Sequence, residues 1–174
     1  QRQMCIRDRR KNLGKNTRRF ILSFLGSLTT AAIFYGGGNY INKQTPYYNF
    51  FSNFISDLGR TTSHSGDDNT ISLSFFIIGM LIQVFGAFYF LYNAADFFKS
   101  DKPKVTILAK ISAAIGSISL LGVILTPADV PSLYFLHILF ANSVFNCSFV
   151  TLSIYGYLFY TCLLYTSPSP RDLS

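Results

Sequence analysis

The sequence predicts an all-α fold, a polytopic bundle of four membrane-spanning helices with a cytoplasmic N-terminus. Hydrophobic residues make up 49% of the 174 positions and charged residues only 13%, about half the ~25% of charged residues that soluble domains carry. The apolar residues gather in four long runs, each near the ~20 residues that a helix needs to cross a bilayer. The alternating segments typical of a transmembrane β-barrel are missing from the sequence.

The two ends of the chain resemble translated sequencing-library adapter. The DNA sequence ATG-TGT-ATA-AGA-GAC encodes Met4 to Asp8, and its reverse complement in a shifted frame encodes Cys162 to Thr166. Transposase-based library preparation leaves an inverted repeat of this kind. We therefore expect residues 1–9 and 162–174 to be non-native, and residues 10–161 to be a membrane domain from inside a longer gene. The alternative is a natural basic head and a Ser/Pro-rich tail.

Each of the four runs is predicted to be one membrane span. The first, residues 20–38, is the weakest by hydropathy because Ser and Thr residues dilute it. Residues 71–92 carry no charge, and we expect Asn69 or the Asp before it to cap this helix. Residues 105–125 carry one charge near their start, and residues 133–160 carry none and exceed the length that a bilayer requires. Since backbone groups in lipid must bond within their own segment, each run is predicted to be helical.

The basic residues orient these spans. Nine of them lie before the first run or around the connection between the second and third runs, whereas the other two connections hold only Lys43 and Arg60. The positive-inside rule then places the outer loop 39–70 and the turn 126–132 outside. We predict a multi-pass protein of the cell membrane (plasma or inner) whose partner is the lipid bilayer. A nucleic-acid surface is not predicted, because the basic residues lie at span ends. The nine residues are Arg10, Lys11, Lys15, Arg18, Arg19, Lys99, Lys102, Lys104 and Lys110.

Small and polar residues form stripes within the spans. Small side chains at every fourth position predict close helix packing, either with missing spans of the same protein or with a second copy. They are Ser23, Ser27 and Ala31 in the first span and Ala109, Ala113 and Ser117 in the third. We expect the stripe of Asn142, Asn146 and Ser153 to face protein, where it would form interhelical hydrogen bonds. The sharper alternative is a transport path along Gln83, Asn142 and Asn146.

Four titratable residues cluster at the predicted outer boundary. Asp57 and His64 belong to the first connection, Asp129 belongs to the third, and His137 opens the fourth span. Such a set can bind a metal, perform acid–base chemistry or sense pH. The spacing matches no metal-ligand motif, so neither metal nor cofactor is predicted. The structural interpretations are a turn or cap for Asp57, a solvated loop for His64, and a hydrogen-bonded interfacial residue for His137.

These outer-face residues carry a resemblance to a known family. The segment Phe54–Gly59 (FISDLG) leads into a span with Gly79, a later span ends in Gly122–Asp129 (GVILTPAD), and His137 opens the next. The arrangement resembles the domain of unknown function 998 family of prokaryotic integral membrane proteins, and more loosely the Frag-one/DRAM/Sfk-one family. The resemblance covers residues 21–159 and implies more than four spans in the intact protein and no established reaction. It implies an outer-face signature of Ser56, Asp57, Gly59, Pro127, Asp129 and His137.

Three functions are compatible with the sequence. The favoured one is an integral membrane protein of unknown activity that binds lipid or assists a membrane process. The second is a small-molecule or lipid transporter component. The third is a membrane-embedded hydrolase with Asp57, Asp129 and His137 as candidate catalytic residues at the outer face. Enzyme activity is less favoured because no serine lies in a nucleophile elbow and Cys147 lies in mid-span.

Overall fold

The computed structural model describes residues 2–98 and 102–166, with side chains for residues 12–98 and 102–161. This part of the chain is all-helical, as predicted, and contains no β-strand. The helices are α1 (Arg2–Ile33), α2 (Thr70–Ala95), α3 (Pro103–Leu125) and α4 (Tyr134–Thr166), with short 3₁₀ turns at Ile55–Gly59 and Asp96–Phe98.

The predicted second, third and fourth spans are confirmed as continuous helices. Helices α2 and α3 begin and end within about three residues of the predicted bounds, whereas α4 begins one residue after the predicted start and continues past residue 160 to Thr166. All three are long and apolar enough to cross a membrane, judged by length and composition. Helix α1 is not among them, because its N-terminal half is polar and basic and its apolar half contains several Ser and Thr residues.

The predicted first span is wrong at its C-terminal end. Helix α1 stops at Ile33, whereas the sequence predicted helix as far as Gly38. Gly37 and Gly38 have φ angles of 103° and 76°, which lie in the left-handed region that a right-handed helix excludes. A Cβ on Gly37 would lie 2.6 Å from the carbonyl oxygen of Thr45. The glycines therefore turn the chain into the loop that follows.

Parts of the adapter-like ends lie outside the described residues. Residues 1 and 167–174 are not described, and neither is Lys99. Positions 2–9 form the start of α1, and positions 162–166 form the end of α4.

Helices α1 and α2 pack side by side in antiparallel directions. Near one end, the Asn16 amide Nδ2 donates to the Tyr89 hydroxyl at 3.1 Å. Near the other end, the Ser27 hydroxyl donates to the carbonyl oxygen of Phe75 at 2.8 Å. Residue numbers fall along α2 as they rise along α1, so the apolar half of α1 accompanies α2 through most of its length.

Helices α3 and α4 are joined through small residues. Ala109 and Ala113 of α3 are buried. The Ser112 hydroxyl donates to the carbonyl oxygen of Cys147 at 3.1 Å, and the Thr151 hydroxyl donates to Ser112 at 2.8 Å. The small stripe of the third span therefore packs within the chain.

Two clusters of buried side chains stabilise the two ends of the bundle. The first contains Ala95, Phe98, Ala109 and Leu158 among others. Beside it, Lys110 Nζ lies 2.6 Å from Asp96 Oδ1 and 4.0 Å from the centroid of the Tyr92 ring. This ion pair accounts for the one charge in the third apolar run. The second cluster lies at the opposite end and includes Ala31, Tyr35, Leu58, Phe76, Met80 and Val123.

Candidate functional site

The loops at one end of the bundle form a compact cap. We call residues 34–69 and 126–133 the end cap. The two segments lie at the same end of the bundle, since the carboxylate of Asp129 binds Thr61 and Thr62. All six residues of the outer-face signature lie in the end cap or, for His137, one turn into α4.

Asp57 is the centre of the first part of the end cap. Its Oδ2 accepts hydrogen bonds from the backbone N–H of Phe54 at 2.9 Å and from Asn53 Nδ2 at 3.2 Å. The bond from Phe54 closes the first turn of the 3₁₀ segment, which confirms the turn-or-cap interpretation of this aspartate. Its other oxygen, Oδ1, lies 3.1 Å from Nε2 of His64. Every oxygen of this buried carboxylate is therefore engaged.

His64 does not lie in a solvated loop, so that sequence interpretation is wrong. Its side chain is only 12% exposed, and that of Asp57 is 6% exposed. The loop folds back so that the backbone N–H of His64 donates to the Tyr35 hydroxyl at 3.3 Å. The Tyr40 ring meets the imidazole edge-on, with 6.4 Å between centroids. These contacts cover the imidazole and hold it against Asp57.

The Asp57–His64 pair lacks the third group of a hydrolytic relay. A carboxylate that orients an imidazole is the second half of a Ser-His-Asp arrangement, in which the imidazole must also reach a nucleophile. Among the described residues, no Ser or Thr hydroxyl hydrogen-bonds to the His64 ring. The nearby Ser65 hydroxyl lies within hydrogen-bond distance of two other acceptors, the Gly36 carbonyl oxygen at 2.9 Å and the Asp67 carboxylate at 2.7 Å. The pair therefore closes the loop and does not activate a hydroxyl.

Asp129 connects the two segments of the end cap. Its Oδ2 accepts the backbone N–H groups of Thr61 at 2.9 Å and Thr62 at 3.0 Å, and the Thr61 hydroxyl at 2.5 Å. Burial raises the pKa of Asp129, but the hydrogen bonds from the two threonines outweigh burial and hold the pKa below its ordinary value of 3.8. The other oxygen, Oδ1, is buried and has no hydrogen-bond partner among the described residues.

His137 is buried at the start of α4 and caps the end of α3. Its Nδ1 lies 2.6 Å from the carbonyl oxygen of Thr126. A carbonyl oxygen only accepts, so Nδ1 carries the hydrogen. A histidine donor at a helix C-terminus satisfies one of the carbonyl groups that the helix leaves unpaired. This contact confirms the interpretation of His137 as a hydrogen-bonded residue at the boundary.

The signature glycine and its neighbours have packing roles. The ring of Phe76 fills the space that a Cβ of Gly59 would occupy. Leu58, next to it, is almost fully buried. Ser56 and Pro127 are half-buried, and the Pro127 carbonyl oxygen accepts the N–H of Val130 at 3.3 Å.

Asn69 is a site residue whose role the sequence did not reveal. It precedes α2, but its side chain makes no capping bond to that helix. Its Nδ2 donates to the carbonyl oxygens of Arg60 at 2.9 Å and Leu58 at 3.3 Å, and its Oδ1 accepts the N–H of Gly36 at 3.3 Å. Asn69 itself occupies the N-cap position, and the carboxylate of Asp68, one residue earlier, accepts the Thr70 hydroxyl at 2.6 Å. The only signal in the sequence is that two adjacent residues, Asp68 and Asn69, are both of types that cap helices. One helix needs only one such residue, so the other is available for a different role.

The three catalytic candidates are bound separately. Asp57 pairs with His64, Asp129 binds the two threonines, and His137 binds a backbone carbonyl. No hydrogen bond joins any two of the three. No group of three His, Cys, Asp or Glu side chains that could hold a metal ion occurs in the described part of the chain.

The polar stripe of α4 does not face protein within this chain, contrary to expectation. Asn142, Asn146 and Ser153 are exposed on the outer surface of the bundle. Gln83 is half-buried on α2. The two asparagines therefore lie on the surface of the bundle and do not line its interior.

A groove lies between α1 and α2 at the end opposite the end cap. It has a volume of about 410 Å³ and is lined by Asn16, Arg19, Phe20, Ser23, Ile82 and Tyr89. Gly86 lets one lining residue, Phe20, lie close to α2, because a Cβ at Gly86 would lie 2.7 Å from Phe20. Arg19 is exposed and forms no ion pair with a described residue. The groove therefore combines a cation and an amide with an apolar wall. The only related signal in the sequence is a cluster of basic residues directly before the first apolar run.

No protein-family model, curated protein or solved structure matches the chain.

Proposed function

We propose that the chain is a polytopic protein of the cell membrane with a cytoplasmic N-terminus, in which α1 crosses the membrane in addition to α2, α3 and α4. The antiparallel contact between α1 and α2 supports this proposal. Asn16 lies beside Tyr89 and Ser27 beside Phe75, so the apolar half of α1 shares its depth with a helix that is apolar enough to cross a membrane. The basic residues at the start of α1 then lie at the level of the head groups, where long cationic side chains are favourable.

Two reporter fusions test this topology. A reporter fused to the N-terminus, before α1, is expected to report the cytoplasm, and one inserted after the exposed Lys43, beyond α1, is expected to report the outside. If both report the same compartment, α1 does not cross the membrane as proposed. If the two signals are exchanged, the orientation is inverted.

We further propose that the protein binds an anionic phospholipid in the groove between α1 and α2. The single observation that carries this proposal is the composition of the groove, in which Arg19 and Asn16 meet Phe20, Ile82 and Tyr89. A cation between transmembrane helices at the cytoplasmic side suits a phosphate head group, and the apolar wall suits the upper part of an acyl chain. The Asn16–Tyr89 hydrogen bond fixes the polar mouth of the groove before lipid enters.

Lipid retention by charge-matched variants tests the groove. The purified chain is exchanged into mixed phosphatidylglycerol and phosphatidylcholine, and the retained lipid is measured by native mass spectrometry. Arg19→Gln is expected to reduce phosphatidylglycerol retention roughly fivefold, since a cation near the surface contributes about 1 kcal/mol toward anionic lipid. Arg18→Gln, an equal change of charge at an exposed position outside the groove, is the control. If both variants lose the same amount of retained phosphatidylglycerol, the effect is due to net charge alone, and the groove is not the lipid-binding site.

The alternatives receive less support. A hydrolase needs a nucleophile near the Asp57–His64 pair, and the hydroxyls there bind other groups. A transport path needs Asn142 and Asn146 inside the bundle, and both are exposed on its surface. The proposed membership in the domain of unknown function 998 family is supported by the position of its signature, which lies at one end of the bundle where several of its residues join separate segments.

A further inference from the structure

Helix α4 has one face that the rest of the chain leaves uncovered. In its most apolar window only 11% of the residues are buried, against 33% for α2 and for α3. It packs against α3, and near its C-terminal end the Tyr155 hydroxyl donates to the carbonyl oxygen of Leu91 in α2. The opposite side is exposed along most of the helix. This side, the open face of α4, consists of Phe135, Asn142, Asn146, Phe149, Ser153 and Gly156.

The open face carries two amides at membrane depth. Asn146 lies roughly 18 Å along the helix axis from Tyr134, at 1.5 Å per residue, and Asn142 lies one turn nearer. That places Asn146 near the middle of the apolar stretch Tyr134–Thr161. Neither amide hydrogen-bonds to a described residue. Hydrocarbon offers an amide no partner, so this face is unfavourable against lipid.

The other uncovered surfaces of the bundle differ from the open face. On α3 the exposed side chains include Ile107, Ile111, Ile115 and Ile118. These are purely apolar, and lipid solvates them without cost. Among the described residues of the three candidate spans, Asn142 and Asn146 are the only exposed amide side chains, so this face is better suited to a protein partner than to lipid.

We infer that a second copy of this chain covers the open face of α4. An Asn amide both donates and accepts, so a face with two such groups is complementary to itself. Two copies with the same distribution of basic residues insert in the same orientation. Their α4 helices therefore run parallel, and a two-fold axis along the membrane normal brings the two Asn146 side chains together at one depth, and likewise the two Asn142 side chains.

Small residues further along the same face allow the two helices to approach closely. A Cβ on Gly156 would meet nothing within 4 Å, so this position is open to a neighbouring backbone. The Ser153 side chain is small, and its hydroxyl already donates to the carbonyl oxygen of Phe149 at 2.8 Å, so it needs no hydrogen-bond acceptor in the partner helix. Small residues beside hydrogen-bonding ones are typical of helix pairs in membranes. The inference rests on the membrane location proposed above and is independent of the lipid groove.

Dimerisation of the full chain in lipid bilayers tests this pairing. The labelled protein is reconstituted over a range of protein-to-lipid ratios, and the dimer fraction is counted by single-molecule photobleaching. The double variant Asn142→Leu/Asn146→Leu is expected to raise the dimer Kd at least tenfold. Leucine is favourable against lipid, so the variant is expected to insert and fold. Ser148→Leu, an exposed polar position of α4 outside the open face, is the matched control and is expected to leave Kd unchanged.

Two outcomes of this measurement overturn the inference. One is a wild-type chain that remains monomeric at every ratio, and the other is a double variant that dimerises as strongly as the wild type. Membrane fractionation of the cells that express the chain separates this failure from a failure of the proposed membrane location, because a chain absent from the membrane fraction would contradict that location directly.

Disulfide crosslinking tests the face itself. In a background with Cys5, Cys147 and Cys162 changed to serine, Asn146→Cys is expected to form a covalent dimer on mild oxidation in native membranes. Ser148→Cys is expected to remain monomeric, because it points away from the partner helix. A dimer at the Ser148 position alone would place the interface on another side of α4 and overturn the inference.

Discussion

Asp129 and Thr61 join the two loops of the end cap across 68 residues of sequence: one carboxylate oxygen accepts both the backbone N–H and the hydroxyl of Thr61, at 2.9 and 2.5 Å. The contact fixes the α1–α2 connection to the α3–α4 connection. It adds a polar connection to the packing between α2 and α3 and to the Tyr155–Leu91 hydrogen bond, which also join the two helical hairpins. Asp129 is therefore a tie between hairpins, and its predicted effects are on stability and on pH dependence.

Asp129→Asn is expected to destabilise the fold by about 1–2 kcal/mol. The amide replaces a charged acceptor, and hydrogen bonds to charged groups contribute more than neutral ones. SDS-titration unfolding measures the loss. Asp67→Asn changes an exposed carboxylate in the other segment of the end cap; it is the control and should change stability by less than about 0.5 kcal/mol. Comparable losses in both variants would show that Asp129 has no special role.

The same carboxylate predicts acid sensitivity. The pKa of Asp129 in the folded state lies below its ordinary value of 3.8. A depressed pKa contributes stability that is present above pH ~3.8 and is lost as the pH falls through the folded-state value. The wild type should therefore lose stability relative to Asp129→Asn as the pH is lowered below about 4. Parallel stability curves for the two proteins over this range would contradict the assignment.

Gly59→Ala is expected to destabilise the fold by about 1–3 kcal/mol. The Phe76 ring occupies the position of the new Cβ, and overpacking a filled site carries a cost of this size. Phe76→Leu removes the ring, so in a double-mutant cycle the alanine should cost less in that background. Gly26→Ala, where a Cβ meets nothing within 4 Å, should be neutral or stabilising in the same helix-rich chain. A cycle without coupling between Gly59 and Phe76 would reject this packing role.

The helices could be predicted from the sequence because their signal is local. A bilayer-length apolar run determines a helix without reference to the rest of the chain, and the runs that became α2, α3 and α4 were long and nearly free of charge. The turn at Asp57 was also local, since its partner Phe54 lies three residues away. The end of α1 was not predicted, because apolar and small residues continue to Gly38 while the glycines adopt a conformation that only the folded loop requires.

The remaining features depend on contacts that no local pattern encodes. His64 is covered only because the loop folds back onto Tyr35 and Asp57. Asn69 acquires its partners only when three separate backbone segments meet. The outward direction of Asn142 and Asn146 depends on which side of α4 packs against α3. Hydrophobic periodicity cannot reveal that side, because α4 is apolar nearly all round.

The pair of Asp57 and His64 is expected to be coupled energetically. Asp57→Ala leaves the imidazole, the Asn53 amide and the Phe54 N–H without their acceptor, and removing one partner of a buried pair costs about 3 kcal/mol or more. Among the contacts of Asp57, His64→Ala removes only the one with the imidazole and leaves the hydrogen bonds from Asn53 and Phe54, so this variant should lose less stability. The stability loss of the double variant should be smaller than the sum of the two single losses by about 1 kcal/mol. SDS-titration unfolding of all four proteins measures this coupling, and strict additivity would mean that the contact contributes nothing.

Tyr48 offers a spectroscopic test of the end cap at alkaline pH. Burial, followed by the charge of Asp57 and the neighbouring Tyr35, raises the pKa of Tyr48 to about 12. Its ring meets Tyr35 edge-on at 5.6 Å between centroids. A raised pKa contributes stability that is present below the unfolded-state pKa of ~10 and is lost as the pH rises through the folded value. Difference titration of phenolate absorbance between the wild type and Tyr48→Phe should isolate one phenol that ionises near pH 12 while the fold is intact. The variant should also lose less stability than the wild type above pH ~10. A difference spectrum that titrates near pH 10 would show that Tyr48 is open to water and that the end cap is looser than its contacts with Tyr35 indicate.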